Sequence, residues 1–260
     1  MLSDLSLDPP VSRVQTLLDP LLHRRTHAFL PNAQAIAERL IAAGAARERV
    51  HVVRNGVDLE RFDPDHAVSL RPAWGVPAGE VVVGFLGMLR PEKRADLFVD
   101  ALLAIPPDAR PAAAVIAGDG PQAATLRERI AQDAWARDHV RMLGVVGDVP
   151  GFLAGIDVLV LPSDTEGLPN AVLEAMAMGV PVVATAVSDV PFLVGSAGEV
   201  VPPRDATALA AAVRRLVAAS SEERARLGAI GRDRAQREFG IAAAARAFWT
   251  AHRALLEPAA

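Results

Sequence analysis

The chain has 260 residues, enough for one large α/β unit or two small ones. Hydrophobic residues make up 51% and charged residues 22%, so a sizeable core can be buried, and the absence of cysteine excludes a disulfide framework, a thiolate metal site and a thiol nucleophile. The net charge of −4 argues against bulk nucleic-acid binding, no apolar run approaches the ~20 residues that span a bilayer, and the opening MLSDLSLDPP has neither the basic nor the apolar region of a secretory signal, so a cytoplasmic chain is expected.

Arg13 to Arg25 reads as a helix, with Val14, Leu17, Leu18, Leu21 and Leu22 at helical spacing. Thr26 to Leu30 is strand-like and stops at Pro31. Asn32 is expected to cap a helix carrying Ile36, Leu40 and Ile41 on one face and ending at Gly44. Val50 to Val53 reads as a strand, and Asn55-Gly56 as a turn. Asp63 to Gly79, with Pro64, Pro72 and Pro77, reads as a linker.

From Glu80 the pattern is regular. Apolar runs at Val81–Leu86, Ala112–Ala117, Val140–Leu143, Val158–Leu161 and Pro181–Thr185 show no polar alternation. Between them lie helical stretches at about Arg94–Ala104, from after the Gly118-Asp119-Gly120-Pro121 loop to about Trp135, and at about Val149–Ala154 and Asn170–Met178. Asp205 is a plausible cap for the helix to Ala219, and Ser221–Phe239 and Ile241–Leu256 read as two more helices. Unalternating strands separated by helices predict an α/β fold, a Rossmann-like parallel sheet with helices on both faces. Ligands of such sheets bind beyond the carboxyl ends of the strands. That singles out Gly87–Lys93, Gly118–Pro121, Gly144–Asp148, Pro162–Asn170 and Thr185–Pro191.

The strongest motif is Glu166-Gly167-Leu168-Pro169-Asn170-Ala171-Val172-Leu173-Glu174. One carboxylate sits in a Gly/Pro loop after a strand, and the second sits eight residues on, inside the helix that the loop feeds. A helix N-terminus offers unpaired N–H groups, and carboxylates accept hydrogen bonds from sugar hydroxyls. Either acid alone reads as an ordinary surface residue, but Glu174 stands among Val172, Ala175 and Met176, where an unpartnered charge is costly. The second motif is Gly84-Phe85-Leu86-Gly87-Met88-Leu89-Arg90-Pro91-Glu92-Lys93-Arg94, a glycine loop after a strand with a point charge at Lys93 that suits a diphosphate. Gly118-x-Gly120-x-x-Ala123 is a loose dinucleotide fingerprint without the acid expected at the end of the next strand, so NAD binding is not expected. His23 and His27 stand four apart with no supporting acid, and no metal site is expected.

The Glu-x7-Glu block, the surrounding run from Asp157 to Ala186 and the Asn55-Gly56-Val57-Asp58…Phe62 segment resemble group-1 (family 4) glycosyltransferases of the GT-B fold. The resemblance covers nearly all of residues 13–256. It implies that Glu174 holds the ribose of a nucleotide, that Glu166 contacts the transferred sugar, and that Gly167, Leu168 and Asn170 lie near sugar and phosphates. It implies the diphosphate at Gly87 and Lys93, with Arg90 nearby, and a donor-site role for the Gly118–Gly120 loop. Glu166 and Lys93 are then the catalytic pair, positioning and neutralising rather than attacking. The chain departs from the family pattern in two loops: Met88 stands where an arginine is usual, and Ser188-Asp189-Val190-Pro191-Phe192 stands where a Gly-Gly pair and a glutamate are usual, with Phe192 at the glutamate position.

The resemblance further divides the chain into residues 1–65, the end of an N-terminal acceptor domain, residues 66–240, the donor domain, and residues 241–260, a C-terminal helix. The expected function is retaining transfer of a sugar from a nucleoside diphosphate sugar to an acceptor hydroxyl, inactive in this chain alone because most of the facing domain is absent. The alternatives are a non-catalytic nucleotide-sugar-binding module and a sugar-nucleotide epimerase. No cofactor is expected beyond the sugar nucleotide. The acceptor is undetermined, peripheral membrane contact is left open, and self-association or a partner chain is expected to cover exposed apolar surface.

Overall fold

The computed structural model describes His23 and residues 25–256. The helix expected over Arg13–Arg25 lies almost wholly outside the described residues. The first described helix is α1, Gln34–Ala42. The expected strands on either side of it are reduced to a single parallel bridge, Phe29 with Val50, extended by His51 N donating to Phe29 O (2.9 Å) and Val53 N to Pro31 O (2.9 Å).

The sheet comprises β1 (Val82–Leu86), β2 (Ala113–Ala117), β3 (Val140–Gly144), β4 (Val158–Leu161), β5 (Val182–Thr185) and β6 (Gly198–Val201). All pairings are parallel and the order is β3-β2-β1-β4-β5-β6. β2, β4 and β5 are buried along their whole length, which is why they read as unbroken apolar runs. β6 has the sequence Gly-Glu-Val-Val and is half-exposed at the edge; its four residues carry no apolar run and it was not expected. The remaining helices are α2 (Ala95–Ala104), α3 (Ala123–Gln132), α4 (Ala134–His139), α5 (Val149–Leu153), α6 (Asn170–Ala177), α7 (Val190–Val194), α8 (Ala206–Ala218), α9 (Ser221–Glu238) and α10 (Ile241–Leu256). Asp133 splits the single helix expected between Pro121 and Trp135 by capping α4 with its own side chain, 2.9 Å from Ala136 N. Asp205 caps α8 as expected, 2.8 Å from Ala208 N.

Two cores cover the two faces. One gathers Val82, Val115, Phe152, Leu173 and Met176. The other gathers Val83, Phe85, Ile116, Phe98, Leu102, Leu209 and Val213. Neighbouring strand residues alternate between them, as a two-faced sheet requires.

The segment read as a linker is packed down. Trp74 is buried against Phe152, with ring centroids 5.8 Å apart, Phe62 is buried, and Leu70 N donates to Gly151 O (2.9 Å). α10 then returns to the first segment: Val57 N donates to Phe239 O (2.8 Å) and Ile241 N to Val57 O (3.0 Å). A Cβ at Gly56 would lie 2.7 Å from Ile241 Cα, so the close approach of α10 requires this glycine; the turn expected at Asn55-Gly56 is not formed there, and the chain turns from Leu59 instead.

The β1–β4 junction is where the chain changes direction across the sheet. In open α/β sheets that is where a crevice forms beyond the strand ends.

Candidate functional site

The loops after β1 and β4 meet at this crevice. Lys93 Nζ lies 2.7 Å from both Oε1 and Oε2 of Glu166. Ser163 Oγ donates to Glu166 Oε1 at 2.6 Å. Ser163 is itself held by Thr185 Oγ1, which donates to the Ser163 carbonyl from the end of β5. Ser163 and Thr185 are fully buried, and the Glu166 side chain is only 6% exposed. An acid this buried needs its charge matched, and here a cation and a hydroxyl both match it.

Glu174 is treated differently. It lies on the second turn of α6, partly buried, and among the described residues no hydrogen bond or ion pair to its carboxylate is found. Burial pushes its carboxyl up from the usual range, and Arg61 offsets part of that. Arg61 comes from the Asp58 turn, where Asp58 Oδ1 accepts from the N–H of Glu60 (3.1 Å) and of Arg61 (3.2 Å).

On the other side of the crevice, Leu86, Gly87, Met88, Ala117, Gly118, Asp119, Val145 and Val146 line a cleft of about 230 Å³. Met88 is 50% exposed and Val145 80% exposed, so apolar walls face the solvent here. Gly118 (φ 145°) and Gly120 (φ 154°) let the second loop pack against the first. A Cβ at Gly118 would collide with the Gly87 carbonyl, and one at Gly120 would lie 2.7 Å from Leu89 O. Gly87 N also donates to Ala117 O (3.0 Å). These glycines therefore have a packing reason independent of any ligand.

Other expected site residues are distributed as follows. Arg90 turns toward Glu92, at 3.9 Å. Arg94 reaches Asp96 (3.0 Å) and Asp164 (3.3 Å) and does not stand in for the arginine absent at Met88. Gly167 faces Asn32 and Ile36. Leu168 is buried, and its carbonyl accepts from Asn55 Nδ2 at 3.3 Å, while Asn170 at the start of α6 accepts from the same group at 2.9 Å. Phe192 stacks under two guanidiniums, Arg54 at 4.4 Å and Arg234 at 4.9 Å, so the ring takes the cations that a glutamate would pair.

Asn32 does not cap α1. The cap position is Ala33, and the N–H groups of Gln34 (2.9 Å) and Ala35 (3.1 Å) donate instead to the buried carboxylate of Asp189, from the loop after β5. Local spacing cannot reveal a cap that lies about 155 residues away in sequence. α1 thereby faces the Glu166 loop across a second cleft, of about 250 Å³, lined by Ala35, Ile36, Arg39, Asp164, Thr165, Glu166, Val187 and Ser188.

Sequence reasoning singled out the loops that hold Ser163, Asp164, Thr185 and Asp189, and the segment that starts at Asn55, but gave none of these five residues its own part in building the site. It also passed over a signal that was available: of 27 lysines and arginines, Lys93 is the only lysine. A compact ammonium recurs once in a chain that otherwise uses guanidinium, and it stands within reach of Glu166.

Among the described residues no group of three or more His, Asp or Glu is arranged to hold a metal ion, and no helix is long and apolar enough to cross a membrane. The family "Glycosyl transferases group 1" matches residues 80–219. The chain is 32% identical over 243 residues to the D-inositol 3-phosphate glycosyltransferase of Saccharomonospora viridis, covering 88% of this chain and 56% of that protein. It is 33% identical over 218 residues to the lipopolysaccharide core biosynthesis mannosyltransferase LpsB of Rhizobium meliloti, covering 79% and 61%. The chain thus spans little more than half the length of these relatives. Among solved structures, Anabaena Alr3699/HepE in complex with UDP and glucose superimposes with a TM-score of 0.84 at 25% identity, covering 94% of this chain and 68% of that one. A parallel six-stranded sheet with a crevice at its direction change, an acidic pair spaced as Glu166 and Glu174, and these likenesses in sequence and fold show that the chain belongs to the group 1 glycosyltransferases of the GT-B fold.

Proposed function

We propose that this chain binds a nucleoside diphosphate sugar across the β1–β4 crevice and presents it for transfer to a hydroxyl with retention of configuration. The base and ribose take the side nearer the Gly87–Val146 cleft, with the ribose hydroxyls on Glu174. The diphosphate meets Lys93 and the sugar meets Glu166, while the acceptor enters by the cleft under α1. The observation that carries this reading is the Lys93–Glu166–Ser163 cluster: the sole lysine is aimed at one carboxylate of the motif, while the other carboxylate has no hydrogen-bond or ion-pair partner among the described residues.

The chemistry follows from the charges. Departure of a nucleoside diphosphate builds negative charge on its phosphates, and a fixed ammonium stabilises that charge where it develops. Glu166 is paired with Lys93 and accepts a hydrogen bond from Ser163, which fixes its orientation to hold a sugar hydroxyl. In retaining transfer of this kind the leaving phosphate deprotonates the acceptor on the same face. Gly167, Leu168 and Asn170 border the sugar, and Gly87, Gly118, Gly120 and Arg90 border the nucleotide.

A second reading, a nucleotide-sugar-binding module without turnover, is favoured by Met88, which puts a thioether into the cleft where the resemblance calls for an arginine. The domain division at residues 65 and 240, and the need for a facing domain or partner chain, are part of the same proposal. Titration of the 260-residue chain with UDP-, GDP- and ADP-sugars tests donor binding, and release of sugar to an acceptor or to water is measured in the same samples. Saturable binding of one donor supports the reading, and turnover separates enzyme from module. Failure of every donor to bind overturns both.

A further inference from the structure

Three non-glycine residues among the described residues have left-handed backbone: Arg94 (φ 53°), Ser188 (φ 49°) and Arg204 (φ 62°). Such conformations persist only where the surroundings impose them. They belong to different loops, beyond β1, β5 and β6, yet all three converge on one stretch, Asp164–Glu166. Arg94 Nη1 lies 3.3 Å from both carboxylate oxygens of Asp164. Arg204 Nε lies 3.1 Å from Asp164 Oδ2. Ser188 lines the same cleft as Asp164 and Glu166, and its buried hydroxyl has no partner.

Asp164 also grips the β1 loop by its backbone, because its N–H donates to the Glu92 carbonyl at 2.8 Å. Lys93 therefore stands between two residues, Glu92 and Arg94, that are both tied to Asp164. Glu166, the partner of Lys93, follows Asp164 by two positions. The tie acts on both members of the pair, and the Arg94 and Arg204 side chains direct their ion pairs to Asp96 and Asp164 rather than to Glu166.

We propose that Asp164 is a positioning residue: it fastens the loops after β1, β4 and β6 together so that Lys93 and Glu166 form a preset pair for the donor. This rests on the donor-binding reading above. The side chain is 15% exposed and is matched by two cations, so its charge is committed to the tie rather than offered to a ligand. Arg94 divides its fork between Asp164 and Asp96, which holds the guanidinium in place while the backbone takes its left-handed turn.

The single lysine makes the test direct. Lysine-selective isotope labelling of the full chain gives one side-chain resonance, that of Lys93. Glu166→Gln supplies the reference position for a broken pair. Asp164→Asn should move the wild-type resonance toward that position without any ligand present. Asp157→Asn, which breaks the Arg71–Asp157 pair elsewhere in the fold, should leave it still. A folded Asp164→Asn protein whose Lys93 resonance stays at the wild-type position overturns the proposal. If that variant does not fold, Arg204→Ala removes a cation that is 74% exposed and should give a smaller displacement in the same direction; a stationary resonance there overturns it equally. With UDP-glucose as probe, Asp164→Asn should bind about tenfold more weakly while uridine affinity holds, because misplacement falls on phosphate and sugar rather than base. A wild-type chain that binds no sugar nucleotide defeats the functional reading, while the lysine resonance still decides the role of Asp164.

Discussion

Glu166 and Glu174 belong to one motif and stand eight residues apart, yet the fold gives them opposite surroundings. Glu166 is nearly sealed and holds an ammonium and a hydroxyl at 2.6–2.7 Å. Glu174 is partly buried with no hydrogen-bonded partner among the described residues, and its carboxyl is pushed up. One acid is built into the structure before a ligand arrives, and the other is left with its acceptor capacity unused. The difference separates an acid whose acceptors are already engaged from one whose acceptors are free, and the proposed ribose site needs the second kind.

Breaking the first environment should have the largest effect. Lys93→Ala leaves Glu166 buried without its cation, and removal of one partner from a buried pair costs about 3 kcal/mol or more. Denaturant unfolding should show that loss, and nucleoside diphosphate affinity should fall further than nucleoside affinity. Equal losses for the two ligands would confine Lys93 to a structural role. Glu174→Gln should behave in the opposite way. Loss of charge-assisted hydrogen bonds at about 1.5–3 kcal/mol weakens nucleotide binding roughly tenfold to a hundredfold, while the folded chain is no less stable. The pH dependence has a definite sign. A carboxyl raised in the folded state favours folding below its unfolded value of about 4.5, and this contribution is lost as pH rises through the folded value. The melting temperature of wild type relative to Glu174→Gln should therefore rise as pH falls into that window, and a difference that stays flat would contradict the burial argument. The smallest effect is expected at Met88. Met88→Arg adds an exposed cation to the loop and should tighten diphosphate binding about threefold, an exposed-pair effect of under ~1 kcal/mol. Weaker binding would show that the loop departs from the geometry the resemblance implies.

The sheet was legible because β1, β2, β4 and β5 are buried on both faces, and burial on both faces leaves uninterrupted apolar runs. β6 was less legible for the converse reason, since a short, half-exposed segment leaves no period, while the strands read at Thr26–Leu30 and Val50–Val53 were placed correctly but read too long, because they pair only at the Phe29–Val50 bridge. Caps formed by neighbours, such as Asp205 on α8, follow from local spacing, whereas Asp189 on α1 depends on the fold being complete. At the site, the residue types and their spacing suggested polyol and phosphate chemistry, and the family resemblance assigned the roles. The pairing of Lys93 with Glu166, 73 residues apart, and the tie through Asp164 required the three-dimensional arrangement. The single lysine is the exception, a one-residue signal present in the composition from the start.

The account rests on Glu174 and Glu166 addressing different parts of one ligand. A crystal structure of the chain with a bound nucleoside diphosphate sugar tests this most directly. The expected result has the ribose hydroxyls on the Glu174 carboxylate, the diphosphate against Lys93 and a sugar hydroxyl on Glu166, with the base toward Gly87 and Val145. A nucleotide bound with its ribose away from Glu174, or with its base in the cleft under α1, would contradict it.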